Sequence, residues 1–277
     1  MKRTITITHL RRILEVSKQH QIFSYIQYLL SAKGAHSTHS PFVFSFINEV
    51  LKDKRQFYAF EQIENLRSEL HNNNSSIEIK DFGAGSLHKK TNKRTISEIA
   101  KNAGRSKKHG ELLFRIANYF ELNNILELGT SLGLGTAYLA KAREKSQIIT
   151  IEGCPSIKQQ AEKNFGSIGL KNIHAYQGNF DDILGSVLEK HPSFDLIFVD
   201  GNHRKIPTLK YFQLLKKYIH PNSLIIFDDI HWSREMSEAW LEIKEDPSVK
   251  ISIDLFQFGL VFFMKGVKQK QHFTLRY

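Results

Sequence analysis

From Asn124 onward the chain repeats one rhythm, a short β-rich run followed by a helical stretch. NILELG leads to a helix through Ala137 to Arg143, and QIITIEG to one through Ser156 to Phe165. NIHAYQG, FDLIFVDG and SLIIFDD follow, with helices over Asp182 to Lys190, Thr208 to Tyr218 and Glu235 to Glu245. Such alternation builds parallel strands joined by crossover helices, so it predicts an α/β fold: a Rossmann-like, doubly wound and mostly parallel sheet with helices on both faces. The ending breaks the rhythm. ISIDLF and LVFFMK are separated by a few residues around Gly259, too few for a crossover, which predicts a hairpin and an antiparallel last strand.

The first hundred residues read as helical. ILEVSKQHQIFSYIQYLLSA spaces Ile13, Val16, Ile22, Phe23, Ile26, Leu29 and Leu30 on one stripe. HSPFVFSFINEVL opens a second helix, with Ser40 as cap and Pro41 in its first turn. Its stripe of Phe42, Val43, Phe46, Ile47 and Val50 suits core packing, or a lid over a substrate. A third helix runs from Phe57 to Leu70, and NNNSS (Asn72 to Ser76) is a loop. The expected organisation is an N-terminal helical extension over residues 1–105 and a catalytic or binding domain over residues 106–277.

Two glycine-rich stretches compete for a ligand loop. IEIKDFGAGS (Ile77 to Ser86) follows a weak strand and precedes the basic segment LHKKTNKRT. NILELGTSLGLGTAYLA (Asn124 to Ala140) has an apolar strand, glycines and an immediate helix. It is followed about 20 residues later by Glu152, where a carboxylate can hold two ribose hydroxyls. The second stretch is the better candidate. Gly129, Gly133 and Gly135 do not make the G-x-G-x-x-G pattern, and Glu127 lies next to the loop. An acid there suits a ligand with a cationic amino group, and S-adenosylmethionine has one beside its ribose and adenine.

ILELGTSLGLGTAYLA resembles the first motif of class I S-adenosylmethionine-dependent methyltransferases. The later motifs are similar to those of metal-dependent O-methyltransferases of the catechol and sugar type, over roughly Lys107 to Lys265. The resemblance implies that Gly129, Ser131 and Gly133 line the methionine moiety, with Glu127 beside them, and that Glu152 takes the ribose hydroxyls. In YQGNFDD, Asn179, Phe180 and Asp181 would meet the adenine. KKHGELLFRIANYF resembles the helix that such enzymes place before the first strand.

IFVDGNH and LIIFDDIHW then become neighbours, because strands of this order pair about 4.8 Å apart. Asp200, Asp228 and Asp229 would converge at the ends of two strands, where bare carboxylates repel. A divalent cation such as Mg²⁺ would relieve that repulsion and would hold a substrate hydroxyl in line. His203 would take the hydroxyl proton, since an imidazole ordinarily titrates near neutrality. Plain turn chemistry is the competing explanation, with Asp200-Gly201 as a turn pair. Helix capping does not need Asp228 or Asp229, because Ser233 and Glu235 already serve the next helix. VDGNH is unlike the Asn/Asp-Pro-Pro-aromatic stretch of enzymes that methylate exocyclic amines, which favours an oxygen acceptor.

The acceptor expected first is a hydroxyl on a small molecule. A net charge of +11, 39 Lys+Arg against 28 Asp+Glu, makes RNA the alternative partner, with O-methylation of a modified base. Lys89 to Arg94, Lys101, Arg105, Lys107 and Lys108 would then grip phosphates. A non-catalytic cofactor-binding protein on the same fold is a third reading. The single cysteine, Cys154, excludes a disulfide framework or a thiolate cluster. The opening MKRTITITHLRRILEV has charges scattered through it, and no run approaches a membrane span, so the expected location is cytoplasmic.

Overall fold

A computed structural model describes residues 7–34, 39–79 and 93–277, with side chains from residue 18 onward. Ile13, Val16, the end of the first glycine-rich candidate and Lys89 to Asn92 lie outside the described side chains. The helical first part comprises α1 (Ile7–Ser31), α2 (Pro41–Phe46) continued by a π-helical turn (Ile47–Leu51), α3 (Tyr58–Asn72) and α4 (Ile96–Ala103). A two-stranded ribbon, β1 (Ser76–Glu78) with β2 (Lys93–Thr95), lies between α3 and α4.

After α5 (Lys107–Tyr119) the alternation appears as expected: β3 (Asn124–Leu128), α6 (Leu134–Ala142), β4 (Gln147–Glu152), α7 (Pro155–Ser167), β5 (Ile173–Gln177) and α8 (Phe180–Leu188). It continues with β6 (Phe194–Val199), α9 (Lys205–Leu215), β7 (Ile219–Asp228) and α10 (Arg234–Glu245). β8 (Ile251–Asp254), β9 (Phe258–Phe262) and β10 (Gln271–Thr274) close the chain. The eight-stranded sheet has the order β10-β8-β9-β7-β6-β3-β4-β5.

β9 is the antiparallel strand, paired with both β7 and β8. Gly259 lies inside it, and the tight connection runs through residues 255–257, with Phe256 at φ 70°. β10, a polar strand that sequence patterning did not suggest, adds to the edge parallel to β8. The order reverses between β3 and β6, which places ligands beyond the carboxyl ends of these two strands. β3, β4, β6 and residues 223–228 of β7 are buried almost throughout because helices cover both faces. Each fully buried Ile or Leu there contributes roughly 1.5–3 kcal/mol.

Local chemistry sets the helix starts. Thr95 and Glu98 form a reciprocal capping box at α4, and Ser106 accepts from His109 N–H at α5. Ser233 caps α10 by accepting from Met236 N–H, so neither Asp228 nor Asp229 is spent on capping. Ser40 precedes Pro41 at the start of α2 but makes no side-chain cap.

The stripe of Phe42, Val43, Phe46, Ile47 and Val50 is core, not lid. Val43, Phe46 and Val50 are fully buried, and the Phe42 and Phe46 rings lie 5.0 and 6.5 Å from Phe262. α3 and α4 join the same apolar core as α5, α6 and one face of the sheet. α1 behaves differently from its apolar pattern: Ile22, Phe23, Ile26 and Leu30 are exposed. It is anchored instead by Tyr28, whose hydroxyl donates to the Leu275 carbonyl (2.6 Å), and by Gln21, which donates to the Trp232 carbonyl (2.8 Å). Among the described residues no helix is long and apolar enough to cross a membrane.

Candidate functional site

A cleft of about 800 Å³ opens at the carboxyl ends of the strands. One end is built by the loop between β3 and α6. Gly129 has φ 107°, and an added Cβ would collide with the carbonyl oxygen of Asp200. Gly133, at φ 82°, begins α6 against the Phe165 ring. Glu152, at the end of β4, accepts from Ser131 N–H and Cys154 N–H, both at 2.9 Å. Its carboxylate is therefore fixed at the wall of the cleft, which Gly129, Ser131, Asn179 and Phe180 also line.

Three expected cofactor residues are placed elsewhere, the first being Gly133, which packs against Phe165 and does not border the cleft. Glu127 is buried beneath the loop, accepts from Thr136 (2.5 Å) and Thr150 (2.7 Å), and does not border the main cleft. Burial pushes its carboxyl up to about 7, against the hydroxyl donors. Asp181 pairs with Lys210 at 2.8 Å and lies outside the cleft lining. Asn179 caps α8, and the Phe180 ring packs against Gly201 and Tyr211.

The other end holds the acids. β6 and β7 are paired neighbours in register from Leu196↔Leu224 to Val199↔Phe227, so Asp200 and the Asp228-Asp229 pair emerge side by side. Asp200, His203 and Asp228 bring ligand-type atoms within 4.8 Å of one another. His203 Nε2 lies 3.7 Å from Asp200 Oδ1 and 3.9 Å from Asp229 Oδ2. Asn202 turns away and donates to the Tyr211 hydroxyl (3.1 Å).

One residue changes the electrostatics of this end. Arg105, between α4 and α5, donates through Nη2 to Asp228 Oδ2 at 2.6 Å and to Asp200 Oδ2. Its guanidinium packs against the Phe198 and Phe258 rings, 5.3 and 5.4 Å from their centroids. Arg105 was expected to hold phosphates; the structure corrects this, because a side chain 10% exposed and paired with two aspartates cannot grip a nucleic acid backbone. Lys101, Lys107 and Lys108 remain exposed.

Burial would raise the Asp228 carboxyl, but Arg105 holds it well below the usual range. Burial raises Asp200 well above its ordinary value, against Arg105 and assisted by the charge of Asp228. Burial and Asp228 together push Asp229 up to about 6. His109, also in the cleft wall, is pushed down to about 4 by burial and by Arg105.

Gln257 bridges the acids too, donating to Asp228 Oδ1 (3.0 Å) and to Asp229 Oδ1. The sequence placed Arg105 only among phosphate-gripping residues and gave His109 and Gln257 no individual role. Its available signal was the Gly104-Arg105-Ser106 junction, which ends one helix and caps the next directly before the glycine loop.

Backbone strain concentrates here as well. Ser131, Asn202, Asp229 and Phe256 all have positive φ, between 50° and 70°, and all four line the cleft. Between the acids and α1, Trp232, His231, Phe256 and Gln21 form an aromatic-rich wall.

Residues 126–230 match a family model described as a methyltransferase domain. That stretch, from β3 to just past the end of β7, is thus similar to a methyltransferase domain. A catechol O-methyltransferase of Niastella koreensis is 34% identical over 128 residues, 45% of this chain and 57% of that enzyme. The chain thus spans little more than half the length of this curated relative. Two solved structures share the fold of this chain. The O-methyltransferase of Bacillus cereus in complex with SAH is 18% identical with a TM-score of 0.54, covering 80% of this chain and 97% of that one. TomG of Streptomyces achromogenes, an O-methyltransferase involved in tomaymycin synthesis and solved in complex with SAM, is 19% identical with a TM-score of 0.53, covering 76% and 91%.

Proposed function

We propose that this chain transfers a methyl group from S-adenosylmethionine to a hydroxyl of a small molecule. One observation carries the reading: a single cleft holds the Gly129 loop with Glu152 at one end and His203 among three aspartates at the other. The first end fits the cofactor. Gly129 turns the loop at φ 107° against the Asp200 carbonyl, and Glu152 is an oriented acceptor for paired hydroxyls. Asn179 and Phe180 would flank the adenine. Bound there, S-adenosylmethionine supplies an electrophilic methyl group on a sulfonium.

The chain's own residues prepare the acceptor. His203 accepts the hydroxyl proton, and the Asp200 and Asp229 carboxyls, 3.7 and 3.9 Å from its Nε2, keep the ring at this end of the cleft. Trp232 and Phe256 offer apolar faces for the acceptor's body, and Gln21 of α1 helps to close the cleft over it.

The acids suggest a divalent cation as well, and the structure allows a test of fit. A cation at Asp200 and Asp228 needs oxygen lone pairs, but Arg105 already takes one oxygen of each carboxylate and Gln257 a further one of Asp228. The set does not fit a metal ion while Arg105 stays in place, so no step of this mechanism uses one.

Calorimetry with S-adenosylmethionine tests the cofactor end. Wild type should bind one equivalent, and Glu152→Ala should weaken binding about tenfold or more through loss of a charged acceptor. No binding by wild type, or equal binding by the variant, would sink the assignment. A screen of cell-extract metabolites with methyl-labelled cofactor then identifies the acceptor.

A further inference from the structure

The three strand-end carboxylates have four of their six oxygens turned to donors of the chain itself. Oδ2 of Asp200 and Oδ2 of Asp228 both accept from Arg105 Nη2. Oδ1 of Asp228 and Oδ1 of Asp229 both accept from Gln257. The remaining oxygens, Oδ1 of Asp200 and Oδ2 of Asp229, face His203 at 3.7 and 3.9 Å.

Arg105 is also built in. Gly104 ends α4 before it and the Ser106 cap starts α5 after it, so its backbone has little freedom. Its carbonyl accepts from Arg67 Nη1, and Phe198 and Phe258 pack against its guanidinium. A guanidinium is charged at every pH a protein survives. Buried charge pairs of this kind resist disruption, because expelling one partner strands the other in a poor solvent. An entering metal ion would have to do that twice, once at each aspartate.

We propose that Arg105 is a resident cation that takes the place of a divalent ion between Asp200 and Asp228, so that the wild-type protein binds no metal at its strand-end acids. The acids then serve to hold Arg105, which in turn cancels the repulsion that their convergence creates. This refines the proposed methyl transfer by assigning the positive charge beside the acceptor oxygen to a side chain.

Manganese(II) alone is the probe. Titrations of the purified full chain are followed by the electron paramagnetic resonance signal of the free ion. Wild type should take up none in the micromolar range. Arg105→Met keeps an apolar stem between the two rings and should bind one ion at least about tenfold more tightly than wild type. Adding Asp228→Asn to that variant should abolish the gain.

Wild-type protein that binds one manganese and loses it in Asp228→Asn overturns the proposal. So does an Arg105→Met protein that is folded by circular dichroism yet binds no better than wild type. If Arg105→Met does not fold, the wild-type titration alone decides. Cofactor calorimetry involves neither manganese nor Arg105, so failure of the cofactor reading and failure of this inference are told apart.

Discussion

The two ends of the cleft recognise by different means. The glycine end works with backbone: positive-φ glycines, exposed peptide groups and one carboxylate fixed by two N–H donors. The carboxylate end works with side-chain charge, three aspartates balanced by a guanidinium and an imidazole. Backbone geometry is intolerant of any added atom but indifferent to pH. A charge cluster tolerates changes of shape but responds to every proton. A glycine substitution should therefore act through folding, and a change among the charged groups through rates and pH dependence.

Gly129 is where the two ends touch, so its replacement should cost most. Gly129→Ala combines strain at φ 107° with a collision against the Asp200 carbonyl. The expected loss is about 4 kcal/mol, on the order of 10 °C in melting temperature. A variant that melts within a degree or two of wild type would mean that the ends are not rigidly joined.

The next largest effect separates the ends. His203→Ala should lower kcat about 100-fold or more while leaving cofactor affinity measured by calorimetry unchanged. Loss of affinity in parallel would place His203 at the wrong end.

The smallest effect lies under the glycine loop. Folded Glu127 keeps its proton to about pH 7, whereas the unfolded carboxyl releases it near 4.5. The folded state binds more protons in this window, so stability falls as pH rises from 4.5 to 7. Glu127→Gln removes the ionisation. Relative to wild type it should gain stability at pH 8 compared with its position at pH 4, read from melting curves across pH. Parallel curves for the two proteins would show that Glu127 titrates normally.

Much of this architecture was legible from short-range patterns. Strand runs such as QIITIE are β-branched and bounded by turn residues, and helices announce themselves by caps such as Ser106 and Ser233. The pairing of the two acid-ended strands, and with it the convergence of Asp200, Asp228 and Asp229, was expected from the doubly wound pattern and the resemblance. β10 was not legible, because QHFT is a short edge strand with no apolar alternation to mark it. The stripe on α1 misled in the opposite direction: its apolar spacing is real, but Ile22, Phe23, Ile26 and Leu30 face outward.

What the amino-acid order determined by itself was local: which runs become strands, where glycine permits a left-handed turn, and which acids end two adjacent strands. Partner choice was decided only in three dimensions. Arg105 meets Asp200 and Asp228 across 95 and 123 residues of chain, and Gln257 meets Asp228 across 29. The left-handed backbones of Ser131, Asn202 and Asp229 are likewise imposed by surrounding packing, since these residues do not require them. Charge compensation depends on distance in space and on the dielectric around it, and a linear sequence carries neither. That is why three aspartates read as an open metal site from the sequence, and why the fold instead encloses a cation of its own among them.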